Sequence, residues 1–382
     1  MTLLREAYER AIDVLGRSSR SVGFYASGLS GGYEALWARD SMMASLGGSL
    51  VGRRFQEPFR RSLETLAKHQ AEFGQIPNAV GTYNTDRGSA VTYNAVDAGL
   101  WFTIGEHIYA RAYKTKVLFR KHQKKITQAL DWIKCQDPDA VGLIASQPTT
   151  DWQDAFPHKY GYTIYAQALY YAALRLAGED ERAQRVKKLV SGEGPRYLAL
   201  YDSRRGYYLP WIWKHHPNGR LEEYWFDTLG NALAIVTGLA TPHIAKSILR
   251  HIAKEKINRP YPCKAIYPPI KRGDKEWQPY FATSDAKTPY HYLNAGIWPV
   301  IGGFYVAALV KAGEFTKAEA EFARLLEANR LRIGKGEWGF QEWLHGKTGK
   351  PIGNSTPYQA WSAGAYLFAY EAVRRKRVPY FL

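Results

Sequence analysis

The 382-residue chain reads as all-α, an (α/α)6 barrel with a small β-hairpin excursion, and three observations predict it. First, apolar residues recur every three or four positions through long stretches, the period of an amphipathic helix. Second, such half-charged stretches alternate with stretches apolar around nearly their whole circumference, and a helix of that kind must be enclosed by others. Third, strand signals are confined to 207–213 and 221–225, which flank a Pro217-Asn218-Gly219 turn. Alternating enclosed and half-exposed helices, about twelve in six pairs, imply an inner and an outer ring. An open solenoid also alternates, but it needs a fixed repeat and self-similar sequence that this chain lacks. With no linker or low-complexity tract to divide it, 1–382 is read as a single catalytic-size domain.

The elements follow in order. Leu3, Leu4, Tyr8, Ala11, Ile12 and Leu15 line one face of a first helix. After a loop through Gly31-Gly32, residues 40–48 form a short helix that Asp40 is placed to cap. Residues 55–72 are amphipathic with Phe59, Leu63 and Leu66 inward, and 94–113 are apolar almost throughout. The alternation continues with 116–134 (basic) and 162–176 (apolar), then 179–190 (charged) and 227–239 (small, apolar). Thr241-Pro242 is a helix start signal for 241–256. Residues 293–311 are apolar, 314–329 charged and 357–374 apolar again. The longest uncharged apolar run, Ala295 to Val310, falls short of the ~18 residues of a membrane span and contains Pro299 and Gly302-Gly303. It predicts a buried helix, and no membrane association.

Composition narrows the function classes. A hydrophobic content of 46% supports a sizeable core. Cys135 and Cys263 stand alone, without metal spacing or a disulfide framework. The N-terminus carries charges where a secretion signal needs an apolar stretch, so a cytoplasmic location is expected. Lys and Arg number 52 against 35 Asp and Glu, a net charge of +17. The cations are spread over helices assigned to the outside (114–134, 182–188, Lys246 with Arg250), and only Arg374 to Arg377 form a dense run. That distribution describes a solvated face and argues against nucleic acid as the partner, while remaining compatible with a homo-oligomer. There is no His-Glu-x-x-His motif, His215-His216 falls in the hairpin, and Gly346 to Gly353 lacks the features of a phosphate-binding loop. No metal or other cofactor is expected.

Each enclosed helix begins beside polar and aromatic residues suited to gripping a sugar, and a barrel brings all six clusters to one mouth. Cleaving a glycosidic bond takes two carboxyl groups across the scissile carbon. Asp154 lies in a turn-rich loop beside Trp152 and Phe156, where aromatic surroundings raise a carboxyl pKa as a general acid requires. A helix cap is the competing role, and Asp151 competes for the acid. Glu342 lies in the aromatic stretch Trp338 to Trp343 before a flexible loop. Arg39 and Asp40 either hold sugar hydroxyls or pair internally. Asn94, Asp97, Gln167, Asn294 and Gln359 either do the same or satisfy buried backbone. Trp37, Trp101, Trp152, Trp298 and Trp361 offer flat faces and N–H donors for sugar rings. Tyr162 and His291 complete the candidate set.

These residues resemble a family. Val96-Asp-Ala-Gly-Leu-Trp-Phe102, Thr228 to Thr241, Tyr292-Leu-Asn-Ala-Gly-Ile-Trp-Pro299, Glu342 to Gly353 and Tyr358-Gln-Ala-Trp-Ser362 are similar to blocks of the alkaline/neutral invertases. Trp152-Gln-Asp-Ala155 is similar to a segment of the amylo-α-1,6-glucosidase domain of glycogen-debranching enzymes. The resemblance runs from Trp37 to about Val373. It implies an inverting glycosidase on an (α/α)6 barrel, with Asp154 as general acid and Glu342 as general base. Tyr160-Gly-Tyr162 and Gln167 fall at the family's offsets from that Asp, which decides for Asp154 over Asp151. Two departures stand out: Ala155-Phe156 replace a pair of Arg, and Tyr165 replaces a Glu. The expectation is a hydrolase of a sucrose-like disaccharide (a β-fructofuranosidase) or of another small α-glucoside (an α-glucosidase). The alternatives are α-1,6-glucosidase activity, a sugar epimerase or lyase using His291, and a basic non-catalytic protein binding glycans or nucleic acid.

Overall fold

The computed structural model describes residues 3–82, 89–215 and 219–381. Twelve α-helices stand among them in alternation: α1 (Leu3–Ser18), α2 (Ala38–Gly48), α3 (Gln56–Lys68), α4 (Asp97–Ala112), α5 (Val117–Lys134), α6 (Ile164–Ala177), α7 (Asp180–Ser191), α8 (Thr228–Thr237), α9 (Pro242–Lys254), α10 (Pro299–Lys311), α11 (Phe315–Arg330) and α12 (Ala360–Arg375). The even-numbered helices are enclosed. All eleven residues of α2 and all ten of α8 are buried, as is all of α10 except Lys311. The odd-numbered helices bury one stripe each, such as Ala183, Val186 and Val190 of α7, or Ile244, Ala245, Ile248, Leu249 and Ile252 of α9.

The inner helices close on themselves: α2 packs on α4, α4 on α6, α6 on α8, α8 on α10, α10 on α12, and α12 back on α2. That closure is what separates a barrel from an open solenoid. Small residues permit the tightest crossings. A Cβ on Gly47 of α2 would stand 1.9 Å from the Gly364 carbonyl oxygen of α12, and one on Gly303 of α10 would stand 2.5 Å from the Ala365 oxygen.

Several local expectations are corrected. Helix α2 starts at Ala38, with Trp37 in the cap position and no side-chain cap, so Asp40 lies inside the first turn instead of capping it. Leu3 and Leu4 are 38% and 43% exposed, because the buried stripe of α1 begins only at Ala7. Thr241 does cap α9, its hydroxyl oxygen accepting from the Ile244 N–H at 3.4 Å with Pro242 at the helix start.

Strand structure extends beyond the expected excursion. The hairpin Trp211–His215 with Gly219–Glu222 is present, its turn residues 216–218 lying outside the described residues, and Tyr162–Thr163 adds a third strand. A separate sheet joins Ala35–Trp37, Ala79–Gly81 and Val91–Thr92, and Phe226–Asp227 pairs with Ile266–Tyr267. Strands of two or three residues are too short for a period of two to register in sequence. They have a positional consequence all the same. Ala35–Trp37, Tyr162–Thr163 and Phe226–Asp227 each run directly into an inner helix, so they fix where α2, α6 and α8 begin.

Candidate active site

At the end where the inner helices begin lies a cavity of about 260 Å³. Trp37 enters it from the residue before α2, Arg39 and Asp40 from the first turn of that helix, Trp298 from the residue before α10, and Gln359 and Trp361 from the start of α12. Trp152 and Asp154 come from the loop between α5 and α6, and Glu342 from the segment between α11 and α12. Of the seventeen sequence-derived candidates these nine share one cavity. Tyr33, Tyr292 and Ala26 also line it and were not singled out. Tyr292 lies within one of the family-like blocks, whereas Tyr33, one of 27 tyrosines, carries no motif of its own.

Glu342 is 5% exposed. Its backbone N–H donates to the Thr356 carbonyl at 2.9 Å, and the Tyr33 hydroxyl donates to Oε1 and Oε2, 3.2 Å from each. Burial pushes Glu342 up to about 8, while the Tyr33 hydrogen bond opposes the rise. Asp154 is exposed on the cavity wall, but the dense protein around it raises it to about 6, with the Arg39 charge opposing. Water in the open cavity screens Asp154, and a substrate that displaced that water would desolvate it further. Burial likewise raises Asp40 to about 6 against the pull of Arg39. Asp154 and Asp40 each disfavour ionisation of Glu342, adding to the effect of burial.

The walls are aromatic. Trp298 packs edge-on against both Trp152 and Trp361, each with ring centroids 5.7 Å apart. Three buried N–H groups of the lining, Trp152 Nε1, Trp361 Nε1 and Gln359 Nε2, have no hydrogen-bond partner among the described residues. A buried donor is costly to leave unpaired, and these three stand where an acceptor entering the cavity could meet them.

The other candidates lie outside this lining, each with a physical reason. Asp97 sits beneath Arg39, accepting from its Nη1 at 3.2 Å and from the Tyr165 hydroxyl at 2.9 Å. Trp101 donates to that same hydroxyl at 3.0 Å, so Tyr165, at the family's Glu position, fills a hydrogen-bonded place behind the cavity. Asp151 is ion-paired with Lys159, both 3% exposed. Gln167 is tied to the backbone of Ile144, and Asn294 to that of Ile270 and Ala286. The Tyr162 hydroxyl donates to Asp139 at 2.9 Å. Asn94 accepts from Asn78 at 3.1 Å and lines a different cavity, and His291 packs against Trp343 and His345. Among the described residues no group of three or more His, Cys, Asp or Glu is placed to hold a metal ion, and no helix is long and apolar enough to cross a membrane.

Comparison with known proteins adds kinship to this geometry. Residues 193–375 match the family described as alkaline and neutral invertase, and 19–188 match amylo-alpha-1,6-glucosidase. Probable alkaline/neutral invertase D of Arabidopsis thaliana is 33% identical over 328 residues, covering 72% of this chain and 59% of that protein. Cytosolic invertase 1 of Oryza sativa subsp. japonica is 26% identical over 342 residues, covering 76% of this chain and 59% of that protein. The chain thus spans about three-fifths of the length of these curated relatives. Among solved structures, the GH63 mannosylglycerate hydrolase from Thermus thermophilus superposes with a TM-score of 0.68 at 16% identity, covering 94% of this chain and 99% of that one. A rhamnosidase from Klebsiella oxytoca gives 0.63 at 16% identity, with 96% and 63% covered. At such identity these neighbours establish the fold alone.

Proposed function

This chain is a relative of the alkaline and neutral invertases, and from that kinship we propose that it is an inverting glycoside hydrolase of a small soluble α-glucoside or sucrose-like disaccharide. One observation carries the proposal: Asp154 and Glu342, far apart in sequence, face a single cavity with aromatic walls and unpaired N–H donors. In this reading Asp154 protonates the departing glycosidic oxygen. Glu342 removes a proton from the water that attacks the anomeric carbon from the opposite side, and the configuration inverts. Arg39, Asp40 and Gln359 bind hydroxyls, and the tryptophans take the ring faces. Arg39 is itself held between Asp40 at 3.6 Å and Asp97 at 3.2 Å, so Asp97 acts by orienting the guanidinium. The cytoplasm is the proposed compartment, in line with the rice cytosolic relative.

The ordering of the two carboxyl groups favours a second reading with their roles exchanged, since burial holds the proton more firmly on Glu342 than on Asp154. A glycosyl fluoride separates the two, because fluoride departs without a general acid. With the first assignment, Asp154→Asn loses turnover of the glucoside but keeps most turnover of the fluoride, and Glu342→Gln loses both. The mirror pattern assigns the roles the other way. Near-wild-type hydrolysis of the glucoside by either variant would remove that residue from the mechanism, and product of retained configuration by NMR would reject inversion.

A further inference from the structure

A second cavity, of about 540 Å³, lies on the segment between α7 and α8 and shares no lining residue with the first. Its charged groups are Arg196, Arg204, Arg205 and Arg220 facing Asp202 and Glu222, with Tyr201 and Tyr224 also in the lining. Two of the guanidinium groups are fixed. Arg220 donates from Nη1 to the carbonyls of Arg196 (3.0 Å) and Ala199 (2.6 Å), and its Nη2 lies 2.5 Å from Glu222. Arg205 lies 3.5 Å from Asp202 and stacks over the Tyr224 ring at 4.1 Å. Asp202 also accepts the backbone N–H groups of Arg204 (2.9 Å) and Arg205 (3.2 Å), which sets the turn that carries them. The side chains of Arg196 and Arg204 have no ion-pair or hydrogen-bond partner among the described residues and are exposed at the rim.

We propose that this arginine-lined cavity binds a phosphate monoester carried on a sugar-sized molecule, at a site separate from the catalytic one. The lining keeps two positive charges in excess, opposite to the roughly −2 of a phosphate monoester at neutral pH. Guanidinium is the group that meets phosphate oxygens in bidentate fashion and remains charged at every relevant pH. The volume falls in the range of small-molecule sites, and the Tyr201 ring gives the organic part of the ligand an apolar surface, while the Tyr224 ring backs the Arg205 guanidinium. Fixed and free arginines have distinct parts: Arg205 and Arg220 form a preset floor, and Arg196 and Arg204 close on the phosphate from the rim. The proposal is independent of the hydrolytic reading, because it rests on other residues.

Calorimetric titration of the full chain tests it, with glucose 6-phosphate as probe and glucose and inorganic phosphate as separate arms at ~0.15 M salt, where long-range attraction is screened. Glucose 6-phosphate is expected to bind at least tenfold more tightly than inorganic phosphate, and glucose to bind at this site not at all. The double variant Arg196→Ala/Arg204→Ala should weaken glucose 6-phosphate at least tenfold while hydrolysis of a neutral glucoside is unchanged. The variant Arg120→Ala/Lys124→Ala, on the exposed face of α5, should leave the affinity where it was. Equal weakening by both double variants would reduce the effect to diffuse attraction by a +17 chain and overturn the site, as would affinity for inorganic phosphate equal to that for the ester.

Discussion

Tyr33 gives the proposed mechanism its sharpest local test. Its hydroxyl donates to both oxygens of Glu342, and such a bond favours the ionised form, so it restrains the rise that burial imposes. Tyr33→Phe should push Glu342 higher still, by about one unit or more if a hydrogen bond to a charged group contributes ~1.5–3 kcal/mol. A base must be deprotonated to act, so the acidic limb of the pH–rate profile should move to higher pH, with roughly tenfold loss near pH 7 and recovery on the alkaline side. If Glu342 is instead the acid, the alkaline limb moves and the acidic one stays. Lys159 offers a test of stability at the same scale. Removing it as Lys159→Met strands the Asp151 carboxylate in a buried place, at an expected ~3–5 kcal/mol in urea unfolding, whereas Lys159→Met with Asp151→Leu should recover most of that loss. The sequence pointed to Asp154 and Glu342 through their aromatic neighbours and the family blocks. It did not separate a carboxamide that faces the cavity, as Gln359 does, from those that bond to backbone, as Gln167 and Asn294 do.

Helices and strands differed in how plainly they showed themselves. The inner helices α6, α8, α10 and α12 were evident because nearly every position is apolar or small, and no other environment suits such a surface. Helix α2 was legible by its place in the alternation more than by its composition: Arg39, Asp40, Ser41 and Ser45 are all buried within it. The short strands ahead of α2, α6 and α8 left no alternation to detect, although they set the positions of Trp37 and of the segment following Asp154. Glycine marks the crossings in a way that can be tested. Gly47→Ala forces a methyl against the Gly364 carbonyl at 1.9 Å, and backbone on both sides leaves nothing free to rotate away. The inner ring must spread at that point, so thermal unfolding should show a loss of at least ~1–3 kcal/mol, while Gly16→Ala in α1, where nothing lies within 4 Å, should be neutral or mildly stabilising.

For the molecule as a whole, the ring that gathers six helix starts also gathers acidic groups away from water, and their titration links the site to the stability of the entire fold. Glu342 has an ordinary value near 4.3 in an unfolded chain and is held near 8 in the folded one. Between those values the folded state binds more protons than the unfolded state, so this residue's contribution weakens as pH rises through the window and is least favourable above about 8. His107, lowered to about 4 by burial, acts in the opposite sense between about 4 and 6.5, which masks the effect in wild-type protein at acidic pH. A difference between wild type and Glu342→Gln cancels His107 and the other groups that do not interact with Glu342. The variant should match wild type near pH 4, gain on it steadily, and melt several degrees higher at pH 8, where it has no charge to bury. Such a gain with abolished turnover is the expected signature of a carboxylate held against its own solvation for catalysis. A Tm offset of the same size at pH 5 and pH 8 would show instead that Glu342 titrates alike in the folded and unfolded chain, and the buried, ligand-ready cavity inferred around it would not stand.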